Sequence, residues 1–177
     1  MCTNTTVITI PEKLAKLIRD RGFDPEAFIM EAIEKYLELD PQEELEARIA
    51  VAEHMLMRAR EELLEGDAVQ ASEKLYKAVE ECIKVLACLR GLEECRKAQI
   101  EGTWWTKLLA RAASKLAKIE KNPLILDAWS LAYDAHIHGF HEHSLDPEDI
   151  EQRLPRAEEL VKYTREALER AKRKSQG

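Results

Sequence analysis

Residues 66–89 read GDAVQASEKLYKAVEECIKVLACL, and their spacing decides the fold. Val69, Ser72, Tyr76, Val79, Ile83 and Leu86 fall on one helical line, with Ala71, Leu75, Ala78, Cys82, Val85 and Leu89 on a second beside it. A helix with two adjacent apolar lines touches more than one neighbour, so the segment predicts a central helix. Lys74 and Lys77 stand outside the first line. Just upstream, Leu45, Ile49, Ala52, Leu56, Ala59 and Leu63 repeat at alternating steps of four and three, one face of a partner helix.

Working outward, four Asx-Pro pairs mark further helix starts: Asp24-Pro25, Asp40-Pro41, Asn122-Pro123 and Asp146-Pro147. The Asx side chain accepts from free first-turn amides, and proline brings a helical φ and no amide of its own. Gly22, Gly66, Gly91 and Gly139 stand where left-handed caps are expected. These signals predict helices near 11–21, 25–39, 41–65, 68–90, 103–121, 123–138 and 147–172, with Pro155 kinking or splitting the last. Residues 91–102 read as a polar connection. The fold class is all-α: an antiparallel up-and-down four/five-helix bundle over residues 40–177, preceded by an arm over 1–39.

The arm is predicted as strand–helix–helix, because TTVITI at 5–10 is β-branched and apolar. That order resembles ribbon-helix-helix modules, which dimerise through paired strands and read DNA with strand side chains. Here the strand offers Asn4, Thr5, Thr6 and Thr9 but no cation. Residues 1–44 hold 5 basic against 10 acidic residues, a net of 5 − 10 = −5. Phosphate neutralisation is therefore missing, and the arm reads as a dimerisation or docking element.

Composition narrows the class. The 177 residues carry 27 Lys+Arg against 34 Asp+Glu, a net charge of −7, with 45% hydrophobic residues and only 6 Gly and 6 Pro. Collagen-like and wholly disordered chains are excluded, as is a surface coated for nucleic acid. No apolar run approaches the ~20 residues of a membrane span, and MCTNTT lacks a signal-peptide pattern, so the expected compartment is the cytoplasm. Cys2, Cys82, Cys88 and Cys95 have neither metal-type nor disulfide-framework spacing, which agrees with a reducing interior. Cys82 reads as an inert core residue, and Cys88 and Cys95 as more exposed.

GD-x-VQASEKLYKA (Gly66 to Ala78), the Trp-Thr-Lys-Leu-Leu segment (Trp105 to Leu109) and H-x-x-GFHE (His136 to Glu142) together resemble the archaeal PaREP family, over roughly residues 36–165. The resemblance implies an all-helical protein without an established biochemical activity. The helix order is also similar to the HEPN class of four-helix domains, which includes toxin ribonucleases, nucleotidyltransferase partners and non-catalytic binding modules. The ribonuclease members carry Arg, four to six residues, then His late in the bundle. No arginine stands at that distance before His136, and Arg48–His54 sits in the first bundle helix, six residues and about 240° apart.

Three constellations are candidate sites. AHIHGFHEH brings His136, His138, His141 and His143 within eight residues, with Asp134 and Glu142 beside them. Imidazoles at this density suit a divalent transition metal, and His136 and His141 are the acid/base candidates. The simpler reading is a helix end, with Gly139 as cap and Phe140 in the core. Gln70, Glu73, Lys74 and Tyr76 form either a polar pocket or a structural network. Lys107, Arg111, Lys115 and Lys118 line one face of a helix headed by Trp104, a local charge of 5 − 1 = +4 over residues 102–121. That stripe suits a phosphate backbone or a nucleotide, or is simply a solvated face, with Trp105 on the apolar side. No catalytic constellation is complete and no cofactor is expected. The chain therefore reads as a homodimeric binding or regulatory module for a protein or nucleic-acid partner, without a membrane role; the alternative is a HEPN-type effector acting on RNA or a nucleotide at His136–His143.

Overall fold

The computed structural model describes residues 6–37 and 39–175. Every regular element among them is helical: α1 (Glu12–Arg19), α2 (Pro25–Tyr36), α3 (Pro41–Leu64), α4 (Ala68–Leu89), α5 (Glu93–Glu101), α6 (Thr106–Ile119), α7 (Leu124–Asp134), a π-helical segment (Ala135–His141), α8 (Pro147–Glu151) and α9 (Leu154–Ser175). None of the described helices is long and apolar enough to cross a membrane.

The Asx-Pro signals start helices as expected. Asp24 accepts from the Ala27 amide, and Asp40 accepts from Gln42 and Glu43 while the Glu43 carboxylate accepts from the Asp40 amide. Asn122 accepts from Leu124, and Asp149 accepts from the Asp146 amide.

α4 is the axis of the fold. It packs on α3, α5, α6, α7, α8, α9 and the π segment, and its residues Ala71, Leu75, Ala78, Val79, Cys82, Ile83, Val85 and Leu86 are all buried. Alanines at Ala52, Ala59, Ala112, Ala113, Ala128 and Ala132 let the surrounding helices approach closely, while Ile49, Met55, Leu116, Ile125 and Leu160 fill the gaps. Each of the larger side chains contributes about 1.5–3 kcal/mol through burial. Cys82 is in this core; burial pushes its thiol up to about 12, against a hydrogen bond with Thr164, so it stays protonated.

Five details differ from the sequence reading. Residues 6–10 form no regular element, and no strand exists among the described residues, none of which supplies the ladder partner that a strand needs. Asn4, Thr5 and Cys2 lie outside the described residues. The stretch 91–102 is not a plain connection but contains α5, whose Cys95 and Ala98, with Leu92 before them, are buried on one edge of an otherwise charged helix. Cys95 is joined to Cys88 by a disulfide across the Gly91 turn, which corrects the expectation of unpaired cysteines. Pro155 does not kink a helix but stands in the first turn of α9, with the chain broken between α8 and α9. Gly139 is no cap. It sits inside the π segment, where an added Cβ would lie 2.0 Å from the Ser72 Oγ, so only glycine lets this segment rest on α4.

Candidate functional site

One line of α4 carries charge instead of apolar atoms. Lys74, Lys77, Glu80, Glu81 and Lys84 recur at helical spacing and are all buried, Lys74 to 2% exposure. They are buried because α2 lies over them with complementary carboxylates. Lys74 Nζ bonds Asp24 and is 2.8 Å from Glu26 Oε2, and Lys77 reaches Glu31 at 3.4 Å. Arg48 of α3 ties three acids together: Glu34 at 2.9 Å, Glu81 at 2.8 Å and Glu44 at 2.9 Å. Lys84 holds Glu81 at 2.7 Å and also Glu80. The arm is thus fastened to the bundle by buried ion pairs.

The electrostatics follow from that packing. Burial alone would raise the Glu26 carboxyl, but hydrogen bonds from His54 and Lys74 hold it well below the usual carboxylate range. Glu81 is fully buried and is likewise held low by Lys84, Lys77 and Arg48. Glu34 goes the other way: burial, then repulsion from Glu81, raises it from 4.5 to about 7. Its Oε1 is buried and has no hydrogen-bond partner. Beside it opens a cavity of ≈ 260 Å³ between α2, α3, α4 and α5, walled by Glu31, Glu34, Arg48, Lys84, Thr103 and Trp104. Neither Lys77, Glu80, Glu81 and Lys84 nor the cleft was singled out from sequence. The available signal was the excess of acid on the arm opposite lysines recurring along α4.

The candidate quartet Gln70, Glu73, Lys74 and Tyr76 is divided by the helix. Lys74 faces α2, whereas Glu73 and Tyr76 face the π segment, and Gln70 is half-buried in the first turn. Glu73 Oε2 is 2.6 Å from His136 Nδ1, and His136 Nε2 is 3.1 Å from His141 Nε2. The His136 ring stacks on Tyr76 with centroids 4.1 Å apart and lies near Phe140. Burial, then Glu80 and Glu73, push the Tyr76 phenol far up, so it stays protonated. The other two histidines do not join. His138 bonds Glu142 at 2.7 Å near Asp134, and His143 lies beyond the π turn in a left-handed conformation. Among the described residues no three His, Cys, Asp or Glu side chains gather where they would hold a metal ion, and the four histidines do not meet at one point. The π turn is the reason, since it turns His136 toward α4 and leaves His138 and His141 exposed, with His141 meeting His136 from outside.

Lys107, Arg111, Lys115 and Lys118 are exposed along α6, and Lys115 is 2.6 Å from Glu94 of α5. The tryptophans exchange their expected places. Trp105 is 60% exposed before α6, while Trp104 is half-buried against the core and walls the cleft. Arg48 and His54 both meet α2, at Glu34 and Glu26 respectively.

Comparison with known proteins agrees with this architecture. The sequence model of the archaeal PaREP1/PaREP8 family matches residues 47–161, starting after α2. A crystal structure of a protein from Sulfolobus solfataricus is similar with a TM-score of 0.60 and 34% identity, over 67% of this chain and 96% of that one. A solution structure described as Orf c02003 protein is similar with a TM-score of 0.60 and 36% identity, over 67% of this chain and 92% of that one. Curated proteins give no match. With α4, α5, α6 and α7, the Gly66–Ala78 segment and the His136–Glu142 turn all inside the matched region, the chain belongs to the archaeal PaREP1/PaREP8 family.

Proposed function

We propose that the protein is a non-enzymatic module of the HEPN-like bundle type that works as a cytoplasmic homodimer, the N-terminal arm joining two copies so that together they engage a protein or nucleic-acid partner. The observation that carries this reading is the row of uncovered apolar side chains on the arm. Val7 is 88% exposed, and Ile8, Leu14, Leu17, Phe23 and Phe28 are also open to water. Residues 6–10 are β-branched and hold no regular structure in the single copy, a segment suited to pair as a strand with an identical partner. Pairing two such segments about a two-fold axis satisfies both backbones and covers the row. The Cys88–Cys95 disulfide fits a cytoplasmic protein, since intracellular proteins of hyperthermophilic archaea keep disulfides.

Sedimentation velocity of the full chain against Ile8→Lys/Leu17→Glu tests the reading, because both side chains are already exposed in the single copy. A wild-type dimer and a monomeric variant are expected. A wild-type monomer, or an undisturbed variant dimer, overturns it.

A second reading, an effector acting on RNA or a nucleotide, is favoured by the Glu73–His136–His141 chain. A carboxylate on Nδ1 fixes the ring orientation and leaves the far nitrogen to exchange a proton with its neighbour, which is general acid–base geometry. The wild type should then cleave RNA and His136→Ala/His141→Ala should not; identical behaviour of the two removes this reading.

A further inference from the structure

We propose that the cleft between α2, α3, α4 and α5 binds an organic ammonium ion, a short aliphatic amine, with Glu34 as its counter-charge and Trp104 as its apolar wall. This goes beyond the dimer reading and does not depend on it.

One acceptor in the cleft is unused: the Glu34 side chain is only 8% exposed, its Oε2 bonds Arg48, and its Oε1 has no partner. A buried carboxylate oxygen without a donor is costly unless something arrives to fill it. The cations at hand are already shared: Arg48 serves Glu34 Oε2, Glu44 and Glu81, and Lys84 serves Glu80 and Glu81.

In the ion-pair network behind the cleft, Glu34, Glu44, Glu80 and Glu81 face Arg48, Lys77 and Lys84, so 4 − 3 leaves one negative charge over. The walls themselves balance, with Glu31, Glu34 and Glu44 against Lys35, Arg48 and Lys84. One positive charge completes the network, while a phosphate or carboxylate ligand would double the mismatch. The upward displacement of Glu34 to about 7 reflects the same deficit.

Shape also fits: a cleft of ≈ 260 Å³ leaves room for an alkyl amine of several carbons. A bare divalent ion needs a shell of several free oxygens, and here one carboxylate oxygen is free and no metal-type cluster exists among the described residues. An ammonium group needs only Glu34 Oε1 and an oxygen such as the Thr103 hydroxyl, while its methylenes lie against Trp104. Glu31 and Glu34 precede residue 47, where the family match begins, so the acidic wall belongs to the arm of this chain.

Isothermal titration of the full-length protein with 1-butylamine at pH 8 tests the proposal, with 1-butanol and magnesium chloride as controls. The amine should bind with one-to-one stoichiometry, the alcohol not at all, and E34Q should bind at least tenfold more weakly. If E34Q does not fold, Trp104→Leu supplies the test and should weaken binding severalfold. No heat with the wild-type protein, equal affinity in the variant that folds, or magnesium binding as tightly as the amine would overturn it.

Discussion

Replacing Lys74 by methionine removes one charge from a deeply buried ion pair and keeps most of the side-chain volume. Asp24 is then left at 5% exposure without its cation, although it still caps α2 through the Ala27 amide. Glu26 loses one of three partners and keeps His54 at 2.7 Å and Arg58 at 3.3 Å. Breaking a buried pair by removing one member costs 3–5 kcal/mol, and the remaining bonds place Lys74→Met at the lower end, about 3 kcal/mol. For a chain of 177 residues, at about 2–4 °C per kcal/mol, the melting temperature falls by about 6–12 °C. Urea unfolding followed by circular dichroism measures it, with the exposed Lys16–Asp20 pair as control: Lys16→Met should stay within about 0.5 kcal/mol. Adding Asp24→Asn to Lys74→Met should recover part of the loss, since the orphaned charge disappears with it. A Lys74→Met cost below about 1 kcal/mol, or a double variant as unstable as the two single losses added, would refute the claim that these charges fasten the arm.

Glu34 supplies a pH signature. A carboxyl raised from 4.5 to about 7 binds its proton more tightly in the folded state, so its contribution is present at acid pH and fades as pH rises between those values, by up to about 3 kcal/mol. E34Q should therefore gain stability over the wild type at pH 8 and lose that advantage near pH 5, as read by melting curves at both. Below about pH 4.5 the opposite trend appears, since protonating Glu26 and Glu81, both held low, destabilises wild type and variant alike. Gly139→Ala should cost about 1–3 kcal/mol, as the new methyl meets Ser72 Oγ at 2.0 Å; adding Ser72→Ala relieves it only in part, because the Ser72 Cβ is also within 2.7 Å. Opening the Cys88–Cys95 bridge by Cys88→Ser/Cys95→Ser should cost about 2.5 kcal/mol for an eight-residue loop, and reductant should expose two more alkylatable thiols in the wild type by intact mass.

The core helices were legible because their information is local. Ile49, Ala52, Leu56 and Ala59 repeat along one face and are buried, and the Asx-Pro pairs carry their own capping chemistry. The charged line of α4 was illegible for the opposite reason. Lys74 and Glu81 are buried only because Asp24, Glu26 and Arg48 come from distant segments to meet them, and lysine and glutamate at helical spacing read as a solvated face until those partners are known. α5 hid behind Glu93, Glu94, Arg96 and Lys97, its three inward contacts being too few to set a visible period. The histidine cluster was visible as composition but not as geometry. A π turn changes the angle between successive side chains, so of four neighbouring imidazoles only His136 reaches Glu73, His141 meets His136, and the other two stand apart. Trp104 and Trp105 alternate across the start of α6, and only the tertiary contact decides which one turns inward.

The most direct test of the account is native-state hydrogen exchange, resolved by residue, along α2. If buried ion pairs make the arm part of the folded body, the amides of Phe28–Glu34 exchange far more slowly than those of α1, and Lys74→Met abolishes that difference while leaving α4 protected. Exchange in α2 as fast as in α1, with no response to Lys74→Met, would contradict it.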